Sequence, residues 1–143
     1  MPEPIAGGSE SDRDRIEHRV AMGETSREGV DAVERLWRDR LQYGVAMPNG
    51  ETVSIALTDI YHLLLDNRVL RKPERIELLL SNVFQIRSGE VDRRRALGRW
   101  PEEAGTIGGY AILTDGSHLV TLHIVTNSEL RRLGRKGDLL WPL

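Results

Sequence analysis

The sequence contains no cysteine, which excludes disulfide bonds, thiolate catalysis and zinc sites built on thiolates. No hydrophobic run approaches the roughly 20 residues that cross a bilayer, so we expect no membrane partner. The first 15 residues show neither the basic segment nor the apolar segment of a secretory signal. We therefore expect a cytoplasmic protein, or a domain that is exported by another route.

Lysine is nearly absent: only Lys72 and Lys136 contribute to the 20 cationic residues. The planar guanidinium of arginine binds phosphate and carboxylate through two parallel hydrogen bonds, which lysine cannot do. A GC-rich genome would also explain the preference for arginine over lysine. The cations are unevenly placed. Residues 1–66 hold 7 Arg against 13 Asp and Glu (net −6), whereas residues 67–143 hold 13 Lys and Arg against 9 Asp and Glu (net +4).

The 143 residues fit one domain of ordinary size. Residues 1–24 are predicted to be a flexible lead-in and a weak N-terminal helix, and residues 25–143 a single α+β domain. A second helix runs from a cap at Thr25 or Ser26 to about residue 41, with apolar residues at helical spacing. A hairpin around Asn49-Gly50 follows, and then a helix capped by Thr58 or Asp59.

Another helix is predicted from Pro73, and a strand over residues 83–87. Residues 88–107 form the longest segment predicted to be irregular. A terminal helix starts near Asn127, and the apolar tail at residues 139–141 is expected to dock on the domain or on a partner. This element order indicates an α+β fold, in which N-terminal helices pack on one face of a four- to five-stranded antiparallel sheet.

Residues 108–126 read as a hairpin around Asp115-Gly116, with a two-residue type I′ turn. That turn places Tyr110 opposite Thr121. Because strand side chains alternate, the hairpin has two faces. The core face is predicted to carry Ala111, Leu113, Val120, Leu122 and Ile124. The second face is predicted to carry Tyr110, Ile112, Leu119, Thr121 and His123, and we interpret it as one wall of a site.

His62 lies three residues after Asp59 and four before Asp66, so the three side chains share one helix face. A carboxylate beside an imidazole fixes its tautomer, which suits a general acid or base. A surface histidine that pairs with a nearby aspartate is the alternative.

Arg93, Arg94, Arg95 and Arg99 accompany Trp100 in the segment predicted to be irregular. Arginines with an aromatic ring engage phosphates and stack on bases. The alternative is a solvated charged run in which Trp100 anchors the segment to the core.

The sequence has neither standard glycine-rich phosphate loop, no His-Glu-x-x-His motif and no carboxylate cluster for Mg²⁺. We therefore expect no cofactor and no metal. Histidine, arginine, threonine, tyrosine and aspartate remain. These residues suffice to cleave RNA through its own 2′-hydroxyl, with a base, an acid and a cation for the phosphate.

Three stretches, Thr58-Asp-Ile-Tyr-His62, Gly109-Tyr-Ala-Ile-Leu113 and Leu119-Val-Thr-Leu-His-Ile-Val-Thr126, occur in an order that resembles the barnase–EndoU–colicin–RelE group of ribonucleases. The phage-associated and toxin-associated branches are the most similar. The resemblance spans roughly residues 30–127. It implies helices on an antiparallel sheet and an active site on the exposed sheet face.

The resemblance also implies catalytic roles. His62 corresponds to a histidine before the sheet, and Thr121, His123 or Thr126 to a residue of the last strand. The cation would be Arg87 or one of Arg93 to Arg95, and the catalytic lysine frequent in the group has no clear counterpart. We choose His123 over His118 as the second histidine.

Three hypotheses follow. The first is a metal-independent endoribonuclease, a toxin or phage-linked effector, with His62 and His123 as base and acid in either order. Arg87 and Arg94 would contact phosphate, and Tyr110 and Thr121 would position it.

The second hypothesis is a non-catalytic module, immunity- or antitoxin-like or an adaptor, that uses the acidic first half. The third is a nucleic-acid-binding domain built on the arginine segment and Trp100. The expected partners are RNA and an antitoxin or immunity protein.

Overall fold

The fold combines a five-stranded antiparallel sheet, a small two-stranded sheet and helices on both faces of the larger sheet. A computed structural model describes residues 10–66, 72–100 and 107–143. Within these ranges the helices are α1 (Glu10–Ala21), α2 (Arg27–Asp39), α3 (Leu57–Leu63), α4 (Arg75–Ser81) and α5 (Asn127–Leu133). The strands are β1 (Val45–Ala46), β2 (Thr52–Val53), β3 (Val83–Ser88), β4 (Arg93–Arg99), β5 (Ile107–Thr114), β6 (Leu119–Thr126) and β7 (Leu139–Trp141).

The order of strands in the larger sheet is β6-β5-β4-β3-β7, with every neighbouring pair antiparallel. One row of cross-strand partners, Ile86, Ala96, Ala111 and Leu122, is buried beneath α1 to α4. Leu130 and Leu133 of α5 pack against Leu97 on the opposite face. The predicted α+β fold class is confirmed.

Side-chain caps fix the starts of two helices. The Ser26 hydroxyl accepts the Gly29 N–H at 3.2 Å, as predicted for α2, and the Thr126 hydroxyl accepts the Glu129 N–H at 3.3 Å. The start of α3 differs from the prediction, because the helix begins at Leu57. Asp59 sits inside its first turn, and its carboxylate accepts the Ala56 N–H at 3.3 Å.

The 108–126 hairpin is present, but its predicted turn and register are wrong. The Ser117 N–H donates to the Thr114 carbonyl at 3.0 Å, and Ser117 then adopts a φ of 62°. This is a three-residue loop with a bulge in place of a two-residue type I′ turn. Tyr110 therefore lies opposite His123, and Leu119 is fully buried instead of facing the site.

A strand also replaces most of the predicted irregular segment. β4 lies between β3 and β5 at the centre of the sheet. Residues 101–106 of that segment fall outside the described ranges, as does the lead-in at residues 1–9. The C-terminal tail does dock on the domain, because β7 pairs with β3 at the edge of the sheet.

Helix α1 contributes to the same core as the rest of the domain, since Ile16 is fully buried in the cluster that holds Val30 and Ile60. Among the described residues, no helix combines the length and hydropathy that crossing a membrane requires.

Candidate functional site

The sheet face opposite α1 to α4 carries two parallel rows of side chains, because residues in register point to the same side. One row consists of Thr121, Ile112, Arg95 and Arg87. The next consists of His123, Tyr110, Leu97 and Gln85. Helix α5 covers Leu97, with Tyr110 beside it, and the first row lies beyond this apolar cluster.

His62, Thr121 and His123 line one groove of about 550 Å³. The groove lies where α3 meets β6, the edge strand of the sheet. The packing of Ile60 and Leu63 into the core holds α3 there. Two histidines that are far apart in sequence therefore line the same space, together with a threonine.

A buried carboxylate stands behind the first of these histidines. Nδ1 of His62 is 3.4 Å from Oδ2 of Asp12 on α1, and Asp12 is only 5% exposed. Of the two predicted partners, Asp59 is buried against the start of its own helix, and Asp66, which follows α3, lines the same groove as His62. Because Nδ1 faces Asp12, Nε2 is the nitrogen that can meet a substrate.

Asp12 was missed by the sequence reasoning, although the sequence contained a signal for it. Asp12, Ile16 and Val20 are spaced by four residues, so the aspartate continues the stripe with which α1 packs on the domain. A carboxylate in a buried helix stripe needs a polar partner.

The second histidine is in contact with an aromatic ring. The rings of Tyr110 and His123 are 5.0 Å apart between centroids and tilted by 37°. Burial raises the pKa of the Tyr110 phenol, and the nearby Glu129 carboxylate raises it further, against the opposing charges of Arg95 and Arg132. The phenol therefore stays neutral and can donate a hydrogen bond.

A second depression, of about 620 Å³, lies on the same face of the sheet. Its lining consists of Ser88, Gly89, Glu90, Arg93, Arg95, Tyr110, Ile112 and Gly137. Arg95 donates from Nη2 to the Ser88 carbonyl at 3.1 Å, while its Nε is buried without a hydrogen-bond partner in the described part of the chain. Tyr110 is shared, since it lines this depression and contacts His123 of the groove.

Three of the predicted site residues line neither the groove nor the depression and make structural contacts instead. Arg94 projects from the opposite face of the sheet, where both of its terminal nitrogens bond Glu51 at 2.9 Å. Arg87 binds the carbonyls of Lys136 and Gly137 at 2.7 and 2.9 Å, which fixes the turn before β7. Trp100 is fully buried, and its indole N–H donates to the Arg75 carbonyl at 3.1 Å. Its side chain anchors the segment to the core.

The structure thus brings His62, Thr121 and His123 to one groove, and Tyr110 contacts His123 there. Arg93 and Arg95 line the separate depression, which Tyr110 also lines. Within residues 10–66, 72–100 and 107–143, no group of three or more histidine or acidic side chains is placed to hold a metal ion. Comparisons with known protein families, with curated proteins and with solved structures found no match to the chain.

Proposed function

We propose that this protein is a metal-independent endoribonuclease, which cleaves RNA through attack by the substrate's own 2′-hydroxyl. The observation that carries the proposal is the groove shared by His62, Thr121 and His123. Two imidazoles facing one space can divide the two proton transfers that this reaction requires. It is also the activity that the resemblance to the barnase–EndoU–colicin–RelE group implies.

His62 is the proposed general base. Its neutral imidazole takes the proton of the 2′-hydroxyl through Nε2 while O2′ forms a bond to phosphorus. The buried Asp12 carboxylate at Nδ1 holds the ring's tautomer and stabilises the imidazolium that results.

His123 is the proposed general acid. Its protonated ring gives a proton to the 5′-oxygen as the P–O5′ bond breaks, which leaves a 2′,3′-cyclic phosphate and a 5′-hydroxyl end. Thr121 lines the same groove, and its hydroxyl would donate a hydrogen bond to a non-bridging phosphate oxygen.

Incubation of single-stranded RNA with the protein in EDTA tests this proposal. We expect cleavage with 2′,3′-cyclic phosphate ends, detected by mass spectrometry. His62→Ala and His123→Ala should each lower the rate by about 10²- to 10⁴-fold, the usual contribution of general acid–base catalysis. His18→Ala is the matched control, because His18 is exposed on α1 away from the groove.

The proposal fails if the wild-type protein leaves RNA intact, or if both groove variants cleave as fast as the wild type. RNA binding without cleavage would support a nucleic-acid-binding domain. A stable protein partner without RNA binding would support an adaptor or an immunity-like module.

An activity against cellular RNA acts in the compartment that holds RNA, so we propose a cytoplasmic effector of the toxin or phage-linked kind, held in check by an antitoxin or immunity protein. Induced expression in cells should slow growth, and His123→Ala should relieve this effect at equal protein level. Equal growth with the two proteins would contradict the effector role while leaving the chemistry standing.

A further inference from the structure

The depression described above lies on the open sheet face, and most of its lining comes from β3, β4 and β5. We propose that it takes the nucleotide next to the scissile phosphate, with the base unpaired against Tyr110 and Ile112 and a phosphate at Arg93 and Arg95. The inference rests on the proposed ribonuclease activity, and it names the substrate as single-stranded RNA that extends beyond the cleaved dinucleotide.

The first argument is the charge of the lining. Arg93 and Arg95 both line the depression, and Glu90, an exposed residue, is the one carboxylate among the lining residues that the structure describes. The Arg95 guanidinium is held on the strand by the hydrogen bond from Nη2 to the Ser88 carbonyl. A guanidinium held in this way on a strand is a preorganised donor for a phosphate oxygen.

The second argument is the apolar floor beside those cations. Tyr110 and Ile112 are half-buried and lie in adjacent rows of β5, so a ring and an aliphatic side chain form the wall next to the arginines. Unpaired bases stack on such aromatic surfaces. A base inside a duplex presents only its edge, which favours single-stranded RNA here.

The third argument is continuity with the groove of the proposed chemistry. Thr121 and Arg95 lie in the same row two strands apart, which corresponds to about 10 Å between their backbones. One nucleotide, with the reach of the arginine side chain, spans this separation. Tyr110 also joins the two spaces directly, because its ring contacts that of His123.

The contact between the two rings has a kinetic consequence. A base that packs on Tyr110 restricts the ring against which His123 lies, so an occupied second site orders the proposed acid. Substrate length should therefore raise kcat as well as lower KM, because binding energy away from the cleaved bond is used to position a reacting group.

Chimeric oligonucleotides with a single ribonucleotide, and hence a single cleavable bond, test the inference. The minimal substrate is a ribonucleotide followed by one deoxynucleotide, and two longer ones add a deoxynucleotide on the 5′ or on the 3′ side. We expect one of the two extensions to raise kcat/KM by about 10-fold or more. Arg95→Ala should bring the ratio of kcat/KM between the extended and the minimal substrate to about one, and Arg93→Ala should also lower this ratio.

Arg38→Ala is the matched control, because Arg38 is exposed on α2 and does not line the depression; it should keep the wild-type ratio. Arg95→Lys should recover only part of the gain, since lysine lacks the fork. Circular dichroism and thermal unfolding establish that each variant is folded.

A binding measurement separates failure of this inference from failure of the proposed function. A fluorescent all-deoxy trinucleotide, which the proposed reaction cannot cleave, is titrated by anisotropy with the wild type and with Arg95→Ala. Cleavage by the wild type with a length ratio that Arg95→Ala leaves intact overturns the second site alone. Absence of all cleavage, with trinucleotide binding that depends on Arg95, overturns the nuclease and retains the site. If the wild type neither cleaves RNA nor binds the trinucleotide, the proposed nuclease activity and the second site are both overturned.

Discussion

At the scale of single residues, the buried contact between Asp12 and His62 separates this histidine from an ordinary surface imidazole. His62 has a partner from a different helix, and that partner is itself removed from solvent. The carboxylate acts through the imidazole, which makes Asp12 a positioning residue in the proposed reaction.

Asp12→Asn tests this role. We expect kcat/KM for RNA cleavage to fall by about 10-fold or more, and His62→Ala to cause a larger loss within the 10²- to 10⁴-fold range of general acid–base catalysis. Because Asp12 acts through His62, the double variant should be no slower than His62→Ala alone. Asp14→Asn, an exposed aspartate of the same helix, should retain the wild-type rate. Losses that multiply in the double variant would contradict the role.

Glu51 provides a second prediction, on stability against acid. Hydrogen bonds from Arg94 and from Ser117 lower its pKa to about 2, although partial burial opposes them. A lowered folded-state pKa means that the ionised carboxylate stabilises the fold above its unfolded value of 4.5, and that this contribution is lost as the pH falls towards 2.

Urea unfolding of the wild type and of Glu51→Gln between neutral pH and about pH 2.5 measures the effect, since a group with the pKa of an ordinary glutamate, about 4.3, titrates in this window. The wild type should be more stable at neutral pH, and the difference should shrink as the pH falls below 4.5. Glu28→Gln, an exposed glutamate on α2, is the control. A difference that stays constant over the window would show that the Glu51–Arg94 pair does not respond to pH in this way.

At the scale of elements, the central strand β4 is the one that the sequence pattern did not predict. Arg93, Arg94 and Arg95 break the alternation of polar and apolar residues by which a half-buried strand is recognised. The middle arginine points to the core side of the sheet and is tolerated there because Glu51, from the loop between β1 and β2, neutralises it. A charge that is satisfied by a distant segment has no local signal.

The hairpin over residues 108–126 is the opposite case, because local sequence signals predict most of its structure. The position of the turn follows from Asp115-Gly116, and the two strands and the face with Tyr110, Thr121 and His123 follow from alternation. The register is not, because Ser117 takes a left-handed conformation that its residue type does not favour. The pairing of β5 with β6 is shifted by two residues from the predicted register. An even shift keeps the side chains outside the bulge on their predicted faces, so Tyr110, Thr121 and His123 still share one face.

Gly137 offers a prediction about how β7 is attached. Its φ is +72°, and a Cβ atom there would lie 2.2 Å from the Ser88 carbonyl oxygen. Gly23 has a similar φ of +76° with open space around it. Both alanine variants carry the left-handed strain of about 1–2 kcal/mol, and only Gly137→Ala adds the clash. Thermal unfolding should show a clearly larger loss of stability for Gly137→Ala than for Gly23→Ala. Equal losses would contradict the prediction, because they would mean that the turn before β7 moves to accommodate the added Cβ atom without cost.

At the scale of the whole molecule, the candidate site draws on both halves of the chain. His62 and Asp12 belong to the acidic half, whereas Thr121, His123 and Arg95 belong to the half with net charge +4. Antiparallel pairing places Arg87 and Arg95 of the basic half in one row on the open face, while the acidic half supplies three of the four helices on the other face. Part of the charge asymmetry visible in the sequence thus becomes an asymmetry between the two sides of the sheet.

This asymmetry predicts how RNA binding depends on salt. Each phosphate that a cation neutralises on a single strand contributes about −0.7 to the slope of log K against log salt. If Arg95 meets one phosphate, Arg95→Ala should make the slope less negative by about 0.7, measured with a 2′-O-methyl oligonucleotide between about 50 and about 200 mM salt. Arg38→Ala, on the helical side, should leave the slope unchanged. Parallel lines for the wild type and Arg95→Ala, whatever their offset, would mean that Arg95 holds the sheet together and does not contact the RNA backbone.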